Sequence, residues 1–184
     1  MKKLLDEQQI RQGVAKVASL LGPRYGREAR AAEDPAIFLG VLDGTFMFMA
    51  DLIREFDQPA EIAFVHAKSY GDRTAREGQF TDILFPPKLD VAGRDVLVVE
   101  DIIDTGYTLA ALKSHLQTRG ARSIELCAFL TKPARRADLN IEADYFAFCV
   151  EDEFVVGYGT DYAGKWRHLR DLWILEEGDK AVQV

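Results

Sequence analysis

Two adjacent carboxylates, Glu100 and Asp101, directly follow the apolar run Val96–Val99, and a third, Asp104, precedes Thr105, Gly106, Tyr107 and Thr108. A short continuous apolar run without polar alternation predicts a strand buried on both faces, as in parallel sheets. In open α/β sheets ligands bind in the crevice beyond the strand ends, where these carboxylates would sit. From Thr105 onward Leu109, Leu112 and Leu116 keep helical spacing, so residues 104–108 form a strand-to-helix turn. The unpaired amides and positive dipole end of such a helix attract a phosphate. Thr105 and Thr108 add hydroxyl donors, and Gly106 lets the backbone approach closely. Paired carboxylates after a strand occur in nucleotide and metal sites, whereas Asp104 taken alone suits a helix N-cap.

The elements that must position this turn are read from periodicity. Ile10, Val14, Val17 and Leu21 predict an amphipathic first helix stopped by Gly22-Pro23, and the polar stretch Arg24 to Asp34 reads as a surface connection. Ala36 to Gly44 reads as a strand ending in a turn, followed by a helix burying Phe46, Met49, Ala50 and Ile53. Ile62 to Ala67 form the next strand. Lys68 to Phe80 carries Gly71 and Gly78 and no sustained apolar period, the pattern of a mobile functional loop or a protruding hairpin. Ser123–Thr131 and Tyr145–Val150 supply two further strands. Strands alternating with helices predict an α/β fold with a mostly parallel central sheet. Without a repeat or linker, residues 1–184 read as one domain.

A formal net charge of -7 over 184 residues disfavours nonspecific binding to nucleic acid or anionic membrane, and is compatible with a small anionic substrate held by a local basic site. Cys127 and Cys149 lie in apolar runs without metal-ligand spacing, so both are expected as free, buried thiols in a reducing compartment. The N-terminal MKKLLDEQQI meets polar residues too early for a signal peptide, and no apolar run reaches membrane-spanning length. A soluble, cytoplasmic protein is expected.

The segment VEDIIDTG within Val96–Thr108 resembles the phosphoribosyl-pyrophosphate motif of type I phosphoribosyltransferases, in the form carried by their hypoxanthine-guanine branch. DEFVVGYGTDYAGKWRHL, Asp152–Leu169, resembles that branch's purine-covering and metal-binding segment. Two separated motifs in the expected order make the resemblance specific; it extends more weakly from about residue 37 to 175. It implies a core of about residues 35–150 with a small hood, built from the N-terminal segment and about residues 151–184, over the ligand edge. It also implies purine salvage: hypoxanthine or guanine and phosphoribosyl pyrophosphate become a nucleoside monophosphate and pyrophosphate, with Mg2+ as cofactor. The family's dimers and tetramers imply a homodimer or homotetramer.

By the same resemblance, Glu100 and Asp101 hold the ribose hydroxyls directly or through hydrated magnesium, and Thr105 to Thr108 bind the 5'-phosphate, Tyr107 through its amide. Asp104 matches the acid/base at purine N7. Lys132, which alone would read as a solvent-facing lysine, matches the residue bonded to the 6-oxo group; Arg135 and Arg136 read as solvated loop surface. Phe154, in a triplet that alone would suggest a core strand, matches the stacking aromatic, and the Val155 carbonyl meets an exocyclic amine. Asp161 matches a carboxylate of a second magnesium, Arg167 contacts pyrophosphate, and Ser69 and Tyr70 begin a closing lid. His66, His115 and His168 show no ligand spacing.

The turn before the second helix departs from the family. Where a basic residue often precedes the glycine, this chain reads Leu42-Asp43-Gly44-Thr45. A carboxylate facing pyrophosphate would be repelled, so Asp43 is expected to turn away and leave the backbone of residues 43–45, including Gly44, to the ligand; metal coordination is the other option. A xanthine-preferring enzyme, or a nucleotide- and RNA-binding regulator on the same fold, are the alternatives.

Overall fold

The apolar run that carries the carboxylates forms the middle of a six-stranded sheet. The structure, a computed structural model, describes residues 1–27, 34–69, 81–135 and 141–180. Its elements are β1 (Lys2–Leu5), α1 (Glu7–Tyr25), β2 (Ile37–Leu42), α2 (Phe46–Phe56), β3 (Glu61–Ser69), β4 (Thr81–Leu84), β5 (Asp95–Ile103), α3 (Tyr107–Thr118), β6 (Ser123–Thr131), a 3-10 turn (Pro133–Arg135), β7 (Tyr145–Cys149), β8 (Val155–Val156), β9 (Leu172–Ile174) and α4 (Glu177–Lys180). The sheet runs β4-β3-β2-β5-β6-β7, all parallel except the edge strand β4.

Both faces of this sheet are covered, which is why its central strands read as unbroken apolar runs. Leu97 and Val99 of β5 pack with Phe38, Phe129 and the inward faces of α1 and α2. Val96 and Val98 face the other way, toward Leu109, Leu112 and Leu116 of α3. A second sheet, β1-β9-β8, joins the N-terminal segment to the region after residue 150: Lys2 pairs with Ile174, and Val155 pairs with Ile174 from the other side. We refer to this small antiparallel sheet as the hood.

Several local expectations are corrected. α1 does not stop at Gly22-Pro23 but continues to Tyr25, with Pro23 inside its last turn. A proline in a helix interior costs about 3 kcal/mol. That cost is offset here by tertiary contacts, because Tyr25 is buried and both it and Arg24 bind Glu125 of β6. α2 buries Phe48, Met49, Leu52 and Phe56, while Phe46 is exposed and Ala50 and Ile53 only partly buried. Asp51, Arg54 and Glu55 mark its polar face but leave a wide apolar arc, and contact of Phe48 with Phe129 of β6 turns Phe48 rather than Phe46 inward. Cys127 is buried and free as expected, but Cys149 is exposed, because β7 is an edge strand. β4, unread in the sequence, pairs antiparallel with β3 from His66↔Leu84 to Ser69↔Thr81, so Lys68 and Ser69, expected in the Lys68–Phe80 loop, belong to β3. Tyr70 and the rest of that segment through Phe80 lie outside the described residues, as do Arg136 and the 28–33 stretch.

Glu125 is the node that ties α1 to the sheet. Its carboxylate accepts from Tyr25 Oη at 2.8 Å, Tyr145 Oη at 2.9 Å and Arg24 Nε at 3.1 Å. Burial raises its pKa, but the two tyrosine hydroxyls and Arg24 outweigh it and hold the carboxyl below the usual range. Glu125→Ala is expected to lower the free energy of unfolding by about 2–3 kcal/mol at neutral pH, since three donors lose a charged acceptor. Because the folded pKa is depressed, the difference from the native protein is present above the ordinary carboxylate range and narrows as pH falls below it, which urea denaturation across pH checks.

Candidate active site

β5 extends further than its apolar run suggested. Instead of ending at Val99 it continues to Ile103, because β6 keeps pairing with it, Glu100↔Ala128 through Ile103↔Thr131. β2 pairs with it only as far as Gly40↔Val99. Glu100 and Asp101 therefore sit where one flank of the strand opens, held by backbone bonds on the other.

Both carboxyls are hard to ionise there. Burial and the neighbouring Asp101 push the Glu100 pKa well above the usual range, and its Oε2 is sealed from solvent with no hydrogen-bond partner among the described residues. Burial raises Asp101 to about 6, although the Ile102 N–H, at 2.7 Å from Oδ1, and the positive charge of Arg167 oppose the rise. The turn after β2 leaves room for this side chain only because residue 44 is glycine: a Cβ on Gly44 would overlap the Asp101 carboxylate.

Past β5 the chain passes Asp104 and Thr105 and enters α3. The N-cap is Gly106, at φ 86°, so Asp104 does not occupy the capping position. A glycine cap has no side chain to accept from the first-turn amides, which leaves them to a ligand. Tyr107 projects outward and is exposed, while Thr108 is partly buried.

Opposite this turn lies a cavity of about 190 Å³ lined by Asp101, Ile102, Asp104, Lys132, Phe154, Val155, Thr160 and Asp161. Residues from two motifs some fifty positions apart thus share one space. Lys132 is not solvent-facing: it is 5% exposed, and its Nζ donates to the Glu153 carbonyl at 2.6 Å. Phe154 is 43% exposed and meets Tyr162 edge-on at 5.5 Å, whereas Val155 is buried in β8. Ser69 ends β3. A larger cavity of about 460 Å³ lies between α1, α2 and the 158–170 segment, and none of the strand-end carboxylates lines it.

On the hood side Arg167 is held by three oxygens. Its Nη1 donates to the Gly159 carbonyl at 2.7 Å, and its Nη2 lies 2.9 Å from Asp161 Oδ1 and 3.7 Å from Asp43 Oδ2. The Asp43 carboxylate, exposed to solvent, has two basic side chains within reach, Arg167 and, at 3.9 Å from Nδ1, His66.

The phosphoribosyl transferase domain family matches residues 2–163 of this chain. The chain belongs to that family. It is 39% identical over 168 residues to a hypoxanthine phosphoribosyltransferase of Escherichia coli (strain K12), with 90% of each chain covered. To a hypoxanthine-guanine phosphoribosyltransferase of Bacillus subtilis (strain 168) it is 39% identical over 176 residues, covering 95% of this chain and 93% of the relative. Among solved structures, a substituted hypoxanthine phosphoribosyltransferase from Trypanosoma cruzi in a ternary substrates complex superposes with a TM-score of 0.88 at 34% identity, over 98% of both chains. These likenesses assign it to the hypoxanthine-guanine branch.

In this phosphoribosyltransferase the site also contains residues that motif reading passed over. Thr45, of which only the backbone was expected to serve the ligand, is fully buried beside Gly44, and its hydroxyl has no partner among the described residues. Thr160 lines the cavity and donates to the Gly157 carbonyl at 2.8 Å. Thr45 follows the glycine of the first turn and Thr160 ends a Gly-Tyr-Gly run, so small polar residues beside glycines were the available signal.

The raised Asp101 pKa makes a signed prediction for the ligand-free protein. Between the ordinary carboxylate pKa and about 6 the folded state binds more protons than the unfolded one, so stability falls as pH rises through that window. Asp101→Asn removes this loss. Its stability relative to the native protein is expected to rise by roughly 1–3 kcal/mol between pH 4.5 and 7.5, a span set by the shift of about two pKa units and checked by urea denaturation at both values.

Proposed function

We propose that this protein transfers the phosphoribosyl group of phosphoribosyl pyrophosphate to hypoxanthine or guanine, forming the nucleoside monophosphate and pyrophosphate. The observation that carries this reading is the shared cavity, which Asp101 and Asp104 of one motif line together with Lys132, Phe154 and Val155. An ammonium supplies a donor to the 6-oxo group, the exposed face of Phe154 stacks on the base, and the Val155 carbonyl accepts from an exocyclic amine. The bond from the anomeric carbon to pyrophosphate breaks as the bond to the purine nitrogen forms, and Asp104 handles the proton at N7.

Glu100 and Asp101 hold the ribose hydroxyls, and the amides and hydroxyls of Thr105 to Thr108 hold the 5'-phosphate. Among the described residues no group of three or more acidic, histidine or cysteine side chains is arranged around a cation. Magnesium does not need one: it commonly takes one or two carboxylates and completes its shell with water and substrate phosphates. The unpartnered Glu100 Oε2 beside Asp101 fits such an ion, with Asp161 as a carboxylate for a second. When bound, the ion supplies positive charge to the leaving pyrophosphate. Arg167 adds its fork of donors on the same side, with the Asp43, Gly44 and Thr45 backbone. Ser69 and Tyr70 open a lid whose role is to exclude water from the activated sugar. No helix among the described residues is long and apolar enough to cross a membrane. The reading includes a cytoplasmic homodimer or homotetramer without nucleic-acid or membrane partners.

A spectrophotometric assay with hypoxanthine, guanine and xanthine, each with phosphoribosyl pyrophosphate and magnesium, tests this directly. Turnover of the first two supports the reading, turnover of xanthine alone replaces it with a xanthine-preferring one, and no turnover with any base overturns it. Asp104→Asn is expected to keep nucleotide binding and thermal stability while losing about a hundred- to ten-thousand-fold in kcat. A drop under about threefold, with chemistry rate-limiting, would remove Asp104 from proton transfer. Asp43→Asn is expected to tighten pyrophosphate binding about two- to fivefold by calorimetry at saturating magnesium, because a competing but exposed anion leaves Arg167. Weaker binding in that variant would instead make Asp43 a metal ligand.

A further inference from the structure

Arg167 is aimed by a short segment in an unusual conformation. Gly157, Tyr158 and Gly159 have φ of 106°, 47° and 99°, three successive left-handed residues of which only the middle one has a side chain. Such backbone persists only where its surroundings over-determine it. Here Tyr158 is 7% exposed, and its ring packs on Phe129 of β6 at 4.8 Å. Its hydroxyl donates to Asp51 Oδ2 of α2 at 2.6 Å. The next residue, Gly159, exchanges two bonds with Arg167: its N–H donates to the Arg167 carbonyl at 3.0 Å, and its carbonyl accepts from Arg167 Nη1 at 2.7 Å. Gly159 also packs so closely on the Gly44 carbonyl that a Cβ there would overlap it. α2 begins at Phe46, directly after the Asp43–Thr45 turn. One hydrogen bond therefore ties the helix that carries this turn to the segment that carries Arg167.

We infer that Tyr158 is a positioning residue, and that its hydrogen bond to Asp51 fixes Arg167 against the Asp43–Thr45 turn so that the two halves of the pyrophosphate side stay in register. The inference rests on the pyrophosphate reading of that side. Tyr158→Phe removes the hydroxyl and keeps the ring on Phe129, while Asp51→Asn keeps an acceptor that Asp51→Ala lacks. The test is calorimetric titration of the full chain with pyrophosphate in magnesium and, separately, with inosine monophosphate, which occupies the base and 5'-phosphate side. Tyr158→Phe is expected to weaken pyrophosphate binding about three- to thirtyfold, the range for losing part of a hydrogen bond to a charged acceptor, with nucleotide binding within about twofold. Asp51→Asn should recover most of the affinity lost in Asp51→Ala, and this pair carries the test if Tyr158→Phe fails to fold. Native-like pyrophosphate binding in Tyr158→Phe, equal loss of both ligands with a fall in Tm, or no recovery in Asp51→Asn would overturn the inference. A native protein that binds the nucleotide but no pyrophosphate would overturn the assignment of that side itself.

Discussion

The Glu100 and Asp101 carboxyls are next to each other on a strand buried on both faces, where ionising both is costly and where each lies beside a like charge. β6 holds the backbone there, pairing with β5 through Ile103, so the carboxyls cannot withdraw toward solvent without breaking the sheet. On the open flank Gly44 offers no side chain, which is the only way the Asp101 carboxylate fits against that turn. The compensating charge comes from the hood, where Arg167 lowers the Asp101 pKa from across the crevice. A site that keeps two carboxyls short of solvent and short of partners gains most from a ligand that brings hydroxyls and a cation with it.

The hood belongs to the same constraint. β9 pairs with the N-terminal strand β1 on one side and with β8 on the other, so the N-terminal segment and the region after residue 150 together hold Phe154 and Val155 over the strand ends of the main sheet. From β8 the chain turns through left-handed residues, including Ala163 and Trp166, to bring Asp161 and Arg167 back toward Asp43. Arg167 enters the site already engaged with two carboxylates and a carbonyl, so an incoming anion competes with contacts that exist.

The sheet was legible because its central strands are buried on both faces: Val96–Val99 and Leu126–Leu130 are unbroken apolar runs. The strand-end carboxylates and the start of the phosphate turn were legible for the same reason. What was not legible depends on contacts distant in sequence. Pro23 sits in a helix because Glu125, a hundred residues later, holds Arg24 and Tyr25. The face of α2 is chosen by Phe129, and β1, β8 and β9 are too short to show a period of two. The approach of Asp43 to Arg167 was not legible, since the two are joined only by the hood's path. Tyr158 and Thr45 carried no catalytic residue type and stood out only once their burial and partners were known.

The central claim is that the carboxyl pair is held in a state that substrate relieves. Carbon-13 NMR titration of the Glu100 and Asp101 carboxyls, in the free protein and with magnesium phosphoribosyl pyrophosphate, tests it most directly. The account predicts that both titrate above the ordinary range when free, Asp101 at about 6, and that both fall toward ordinary or lower values when the ligand binds. Ordinary titration in the free protein, or raised values unchanged by the ligand, would contradict it.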